Sequence, residues 1–137
     1  MNFEYYTPNP NAKVFKSGKP KSWNVSDDAV RAISKVLDKT WIESYEMLDE
    51  IAKNSFTIIQ DKNVVNELLC NKEFEYVTLG KPKQGEKRPV VSEFVNMYNK
   101  GTYVLYLRDY YITVIDGVVY DTDMNIGNEA VYSYWKK

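Results

Sequence analysis

The hydrophobic pattern of this chain changes period once, near residue 102, and this change constrains the fold more than any other feature. Upstream, apolar residues recur at helical spacing in stretches that begin after Ser26, after Thr40 and at 62–70. From Thr102 onward, runs rich in Thr, Tyr, Val and Ile have the composition of strands. These runs occupy 102–108, 110–116, 118–121 and 131–135. Helices followed by strands predict an α+β domain, with a helical N-terminal half packed on a C-terminal antiparallel β-sheet.

Local signals predict where several of these elements begin and end. The Ser26 hydroxyl is placed to cap the first helix, and residues 40–43, Thr-Trp-Ile-Glu, have the pattern of a capping box for the second. A short helix capped by Ser92 is expected to end at Gly101. The dipeptide at 116–117, Asp-Gly, predicts a hairpin, because both residues tolerate the positive φ of a type I′ turn.

The length of the chain predicts one domain. A chain of 137 residues can bury a core and is the size of one ordinary unit, so 1–137 is expected to be a single domain. Pro, Asn, Gly and Lys are frequent at its start, which predicts an irregular lead-in over 1–25, and the breaker-rich residues 80–90 predict a mobile basic loop. No run approaches the roughly 18 apolar residues of a membrane span, and the first residues lack the pattern of a signal peptide. The sequence therefore predicts a soluble, cytoplasmic protein.

The chain has no histidine and one cysteine, and these counts exclude several kinds of site. Without histidine there is no Ser-His-Asp or Cys-His machinery and no His-ligated zinc or haem. A lone cysteine excludes an internal disulfide, a thiolate zinc finger and an iron–sulfur cluster. Cys70 ends the third helical stretch, where it is expected to be a small buried or half-buried apolar side chain.

Charge is segregated along the chain although the net charge is only -1. Residues 1–26 and 81–88 each carry a net charge of +3, whereas 27–50 carries -4. Such runs are typical of solvated faces, and they also suit electrostatic steering of a charged partner. The pI of 5.5 lies far below the value above about 9 that is typical of nucleic-acid-binding domains, so nucleic acid is not the expected partner.

Tyrosine and tryptophan are frequent, and their positions predict two roles. Four of them are expected in packed positions, namely Trp23, Trp41, Tyr103 and Trp135. Four others are expected to be exposed and available to a partner, namely Tyr5, Tyr6, Tyr110 and Tyr132.

Short motifs spread over nearly the whole chain resemble those of a known group of proteins. The first are Phe-Glu-Tyr-Tyr-Thr-Pro-Asn-Pro at 3–10 and Asp-Ala-Val-Arg-Ala-Ile-Ser at 28–34. The later ones are the helix with Trp41 and Tyr45, the strand at 100–105, the 116–117 hairpin, the strand at 120–122 and the aromatic end at 132–135. In this order and spacing the chain resembles small bacteriophage and prophage proteins with a papain-like cysteine peptidase fold.

The chain departs from that family at two of the three catalytic positions. The family's cysteine lies at the N-terminus of the first helix, where the helix dipole stabilises a thiolate; this chain has Asp28 there. The histidine position corresponds to Tyr111. The acidic member, Asp121, is retained. The resemblance therefore implies a papain-like fold without cysteine peptidase chemistry.

Three interpretations of these residues stay open. In the first, Asp28 is a favourable first-turn acid that hydrogen-bonds Tyr111 and closes the former cleft, and the protein acts by binding. In the second, Asp28, Tyr111 and Asp121 form the altered cleft of a hydrolase or hold a hard cation. In the third, the basic residues within 13–21 and 81–88 bind nucleic acid, with an affinity that falls steeply with salt.

The first interpretation is the one that the sequence favours. It predicts an inactive, papain-like phage or prophage accessory protein that binds a host or phage protein, with an anti-CRISPR-like, counter-defence inhibitor as one form. No cofactor, metal or membrane is expected to take part. The expected binding residues are Lys81, Lys83, Lys87, Arg88 and Tyr110.

Overall fold

The computed structural model describes residues 1–9 and 26–137, and these residues form an α+β fold. The helices are α1 (Asp28–Leu37), α2 (Trp41–Asn54), α3 (Lys62–Asn71) and α4 (Val91–Met97). The strands are β1 (Asn2–Tyr5), β2 (Glu75–Thr78), β3 (Thr102–Tyr106), β4 (Tyr111–Ile115), β5 (Val118–Asp121) and β6 (Ser133–Lys136). The α+β class and the change of period near residue 102 are confirmed.

The six strands form one mixed sheet in the order β1-β5-β4-β3-β6-β2. β1 runs parallel to β5, with Asn2 opposite Val118, whereas the other neighbours are antiparallel. The prediction of a purely antiparallel sheet is therefore wrong at the β1 edge, and the predicted irregular lead-in is wrong for 2–5. Both edge strands come from the part of the chain before residue 102, where no strand was predicted. Each is only four residues long, which is too short to show a period of its own.

The sheet is covered on both faces, so the inner strands bury side chains in both directions. Helices α1, α2 and α3 pack on one face, and α4 packs on the other. The core on the α1 face includes Ile33, Leu48, Val65, Val104, Tyr111 and Trp135. The core on the α4 face includes Phe94, Tyr103, Leu105, Ile112, Val114 and Tyr134. Alternate residues of β3 thus enter opposite cores, as period-two alternation requires.

The caps of the helices agree with the sequence signals in part. The capping box of α2 is present, because Thr40 Oγ1 accepts from the Glu43 N–H at 3.1 Å and Glu43 accepts from the Thr40 N–H at 3.0 Å. α1 begins after Ser26, but the residue at its N-cap is Asp27. Ser92 lies inside α4 instead of capping it, and the helix ends at Met97, before Gly101.

The predicted hairpin between β4 and β5 is confirmed. Asp116 and Gly117 adopt φ values of 48° and 79°, as a type I′ turn requires. The Asp116 carboxylate also accepts a hydrogen bond of 2.9 Å from the backbone N–H of Gly101. The side chain thus ties the hairpin to the turn that leads into β3.

Three other predictions concern single segments. Cys70 is exposed, not buried, because α3 turns Val65, Leu68 and Leu69 toward the core and Cys70 lies outside that stripe. The 80–90 segment has neither helix nor strand up to the bridge at Val90, and its mobility stays a prediction. Lys13, Lys16, Lys19, Lys21 and Trp23 lie outside the described residues. No helix in the described part of the chain is long and apolar enough to cross a membrane.

Candidate functional site

The N-terminal turn of α1 carries two carboxylates that point into the protein. Asp27 is 7% exposed and Asp28 is 3% exposed. Asp27 makes no side-chain cap to its own helix, because its oxygens are used elsewhere. Oδ1 accepts from Arg31 Nη1 at 2.6 Å, one turn along the same helix, and Oδ2 accepts from the Trp41 indole N–H at 3.0 Å. Asp27 therefore joins the start of α1 to the start of α2.

Asp28, the first of the three candidate residues, is held by two donors. Its Oδ2 accepts from Gln60 Nε2 at 2.7 Å and from the backbone N–H of Tyr111 at 2.9 Å. Burial raises the pKa of this carboxyl above its ordinary value, although both hydrogen bonds oppose the shift. The side chain acts as a link between α1, the α2–α3 connection and the first residue of β4.

Tyr111, the second candidate residue, packs its ring into the core between Tyr106 and Trp135. Its hydroxyl donates to the Gln60 carbonyl at 2.9 Å. Burial raises the pKa of the phenol far above its ordinary value, so the group keeps its proton. The predicted hydrogen bond between Asp28 and Tyr111 is present, but the backbone N–H makes it and the phenol does not.

Asp121, the third candidate residue, is fully buried at the end of β5. Its Oδ1 accepts from Arg31 Nε at 3.2 Å, its two oxygens each lie 3.1 Å from the Tyr110 hydroxyl, and Oδ2 accepts from the Asp123 N–H at 3.2 Å. Burial raises the pKa of this carboxyl, and the charge of Arg31 opposes the shift. Every bond of this carboxylate is internal to the protein.

Arg31 is the centre of this arrangement, and sequence reasoning did not assign it a role. It is 3% exposed, and its guanidinium contacts Asp27, Asp121 and the Tyr110 hydroxyl, the last at 2.6 Å from Nη2. Burial acts to lower its pKa, but the neighbouring carboxylates raise it overall, so the charge is kept. The sequence does contain a signal for this role. Asp27 and Arg31 have the i,i+4 spacing of an ion pair, and most other residues of α1 near them are apolar.

The three candidate residues Asp28, Tyr111 and Asp121 do not form one reactive group. Asp28 accepts from Gln60 and the Tyr111 N–H, whereas Asp121 pairs with Arg31. The described residues contain no group of three or more Asp, Glu or Cys placed to hold a metal ion. What this arrangement does chemically is to join α1, α2, β4 and β5 through buried charge-assisted hydrogen bonds.

The predicted binding residues divide into exposed and anchored ones. Lys81, Lys83 and Lys87 are exposed. Arg88 is half-buried, donates to the Gly80 carbonyl and lies over the Tyr132 ring at 4.3 Å. Arg88 therefore closes the base of the loop that presents the three lysines.

Tyr110 was expected to be exposed and available to a partner. It is half-buried, and its hydroxyl lies between Arg31 and Asp121. Burial raises the pKa of the phenol strongly. Its place in the structure is therefore at the rim of the buried Arg31 network, with only part of the ring exposed.

Comparison of the chain with protein-family models, curated proteins and solved structures found no match. The resemblance to papain-like phage proteins accordingly rests on the motifs of this sequence, and its consequences for function are proposals.

Proposed function

We propose that this protein is a catalytically inactive, papain-like accessory protein of a bacteriophage or prophage that acts by binding a host or phage protein. An inhibitor of host defence, of the anti-CRISPR kind, is one specific form of this proposal. The proposal starts from the motif resemblance, in which the scaffold is retained and the nucleophile and base are replaced.

The burial of the three former catalytic positions carries this proposal. Asp28, Tyr111 and Asp121 are 3%, 1% and 0% exposed, and each is bonded to groups of the same chain. A peptide substrate needs a reacting group within hydrogen-bond reach and a place beside it. Buried side chains bonded in this way support a structural role for the three residues. The proposed binding function is therefore assigned to the surface of the molecule.

The exposed lysines of the 80–90 loop supply the contact in this proposal. Lys81, Lys83 and Lys87 are exposed within one short segment, and Arg88 fixes its base. A compact group of cations steers an acidic partner and speeds its association. The proposed partner is accordingly a protein with an acidic surface.

Affinity capture with a charge-reversed loop tests the proposal. The bait is the purified chain, used as wild type and as the triple variant Lys81→Glu, Lys83→Glu and Lys87→Glu. We expect a protein recovered from host cells by the wild type to be lost with the triple variant, because like charges across the contact repel.

A matched control carries the same change of net charge elsewhere. Lys39, Lys72 and Lys100 are also exposed, and their replacement by Glu should leave recovery unchanged. Equal recovery by both variants would contradict the role of the loop. Hydrolysis of a peptide substrate by the purified chain, abolished by Asp28→Asn, would instead favour the hydrolase interpretation.

A further inference from the structure

The connection between α2 and α3 presents an aromatic ring to solvent from a strained backbone. Phe56 is 97% exposed, and the neighbouring Ile58 is 68% exposed. Phe56 has a φ of 55°, in the left-handed region. Most exposed apolar residues have no special meaning when they occur singly, but this one combines a nearly free ring with a costly backbone conformation.

The strain arises from the way in which α2 ends. The Thr57 N–H donates to the Ala52 carbonyl at 3.0 Å and the Phe56 N–H donates to the Lys53 carbonyl at 3.3 Å, which is the Schellman arrangement. Phe56 occupies the position at which this motif normally has glycine, because a Cβ is unfavourable there. The positive φ of Phe56 costs conformational free energy, and its exposed ring buries no surface that would offset this cost.

The connection is nevertheless rigid, because both of its ends are bonded. The Thr57 hydroxyl donates to Asp61 Oδ2 at 2.9 Å, and Asp61 Oδ1 accepts from the Asn63 N–H at 2.8 Å, which caps α3. The Asp61 N–H also donates to the Ile58 carbonyl at 3.1 Å. A backbone held in one conformation loses little conformational entropy on binding, which favours affinity.

A polar cleft of about 450 Å³ is lined in part by the two residues that flank Phe56 in the chain. Ser55 and Thr57, which flank Phe56, line it together with Asp61, Asn66 and Glu67. None of the described residues that line this cleft is Lys or Arg. The cleft therefore offers carboxylate and amide oxygens to a cation.

The segment of the chain that contains the cleft has a net negative charge. Residues 43–73 contain seven acids and three lysines, a net charge of -4. Lys53 pairs with Glu50 at 3.4 Å, and the Lys62 ammonium lies over the rings of Tyr76 and Tyr106. Lys53 and Lys62, two of the three lysines in residues 43–73, thus contact groups of the chain itself.

We propose that Phe56, Ile58 and the adjoining cleft form a second docking surface, whose occupant is a basic segment of another protein. An apolar pocket of the partner takes the Phe56 ring, and a Lys or Arg of the partner enters the cleft beside Asp61 and Glu67. The inference deepens the proposed binding function and rests on it, but it uses a different surface from the lysine loop.

A displayed library of random peptides, selected on the purified chain, tests this surface. We expect the enriched peptides to combine Lys or Arg with apolar residues. Their affinity should fall at least about tenfold with Phe56→Gly, as for a central aromatic anchor, and it should fall with Glu67→Lys. Backbone amide NMR shifts on peptide addition should be confined to the Ser55–Asn71 region.

Two matched variants separate binding from stability and from net charge. Phe56→Gly should raise the melting temperature by about 2–5 °C, because glycine relieves the positive φ; a structural role for the ring would lower it. Met124 is 71% exposed, so Met124→Ala is the control for loss of an exposed apolar side chain. Glu129 is exposed and lies outside both proposed surfaces, so Glu129→Lys is the control for charge.

The possible outcomes distinguish this inference from the proposed function. Peptides without basic residues, no enrichment, or equal binding by wild type and Phe56→Gly would overturn the inference. Peptides that depend on Lys81, Lys83 and Lys87 but not on Phe56 would overturn it while supporting the proposed function. Self-association in sedimentation that is lost with Phe56→Gly would replace the basic partner by a second copy of the chain.

Discussion

At the residue scale, the buried site depends on Arg31, which contacts Asp27, Asp121 and Tyr110. The single positive charge of Arg31 is shared by two buried carboxylates, Asp27 and Asp121, which contact the guanidinium from two elements. The Tyr110 hydroxyl accepts from one nitrogen and donates to Asp121. Removing one partner of such a group is more damaging than replacing the whole group, because the remaining charges stay buried.

We predict that Arg31→Met lowers the free energy of unfolding by about 3–5 kcal/mol, because it leaves Asp27 and Asp121 without their counter-charge. Urea unfolding followed by circular dichroism measures the change. Arg108→Met is the control, since Arg108 is exposed and should change the unfolding free energy by less than about 0.5 kcal/mol. A loss of less than about 1 kcal/mol for Arg31→Met would contradict the importance given to the network.

At the scale of elements, the two first helices begin in different ways. α2 has both halves of its capping box, and its signal lies entirely within four consecutive residues. α1 has Asp27 at its N-cap, but the carboxylate binds Arg31 and Trp41 instead of its own helix. A cap between neighbouring residues can be predicted from sequence. The hydrogen bond of the Asp27 carboxylate with the Trp41 indole cannot, because the two residues belong to different helices.

Thr40→Ala is expected to lower the free energy of unfolding by about 1 kcal/mol, because an N-cap hydroxyl is lost. Ser26→Ala is expected to change it by less than about 0.5 kcal/mol, because Ser26 is exposed and Asp27 occupies the N-cap. Thermal or urea unfolding of the pair measures both changes. A larger effect at Ser26 than at Thr40 would restore Ser26 as the cap that the sequence pattern favours.

The whole molecule is organised by a sheet whose centre is buried on both faces. β3 and β4 each have a strand on either side, and the cores on the α1 face and the α4 face cover them. The edges are β1 and β2, and each carries mostly exposed or half-buried residues. The stability of the molecule is therefore expected to fall from the centre of the sheet to its edges.

Native-state hydrogen exchange should detect this gradient. We expect the amides of Leu105, Ile112 and Val114 to exchange slowest, through global unfolding, because their strands open only when both cores open. The amides of Asn2–Tyr5 and Glu75–Thr78 should exchange faster, through local opening. Equal protection of centre and edges would indicate a sheet that opens only as a unit.

Short signals in the sequence predicted several elements correctly, and each of them is local. The Asp116-Gly117 hairpin, the Thr40 capping box and the alternation of Tyr103 and Val104 depend on residues within one turn or one strand. The edge strands β1 and β2 were missed because four residues carry no period, and their pairing partners lie far along the chain. Cys70 was misplaced because its position one residue past Leu69 sets it beside the buried stripe of α3.

The candidate site divides in the same way. Asp28, Tyr111 and Asp121 were found from motifs, but their burial and their bonds to Gln60 and Arg31 are long-range contacts. The surface at Phe56 was missed because an exposed phenylalanine and a buried one look alike in a sequence. Only the backbone angle and the exposure of the ring distinguish them.

The sequence by itself determined the α+β class, most helix and strand positions and the absence of histidine chemistry, because periodicity, turns and composition are properties of neighbouring residues or of counts. The tertiary structure decided that β1 lies parallel to β5, that Arg31 bridges two buried carboxylates, and that Phe56 is exposed to solvent. These three features depend on which distant segments of the chain come into contact. Such contacts determine whether a charge is paired and whether a ring is buried, and so they set the free energy of each group.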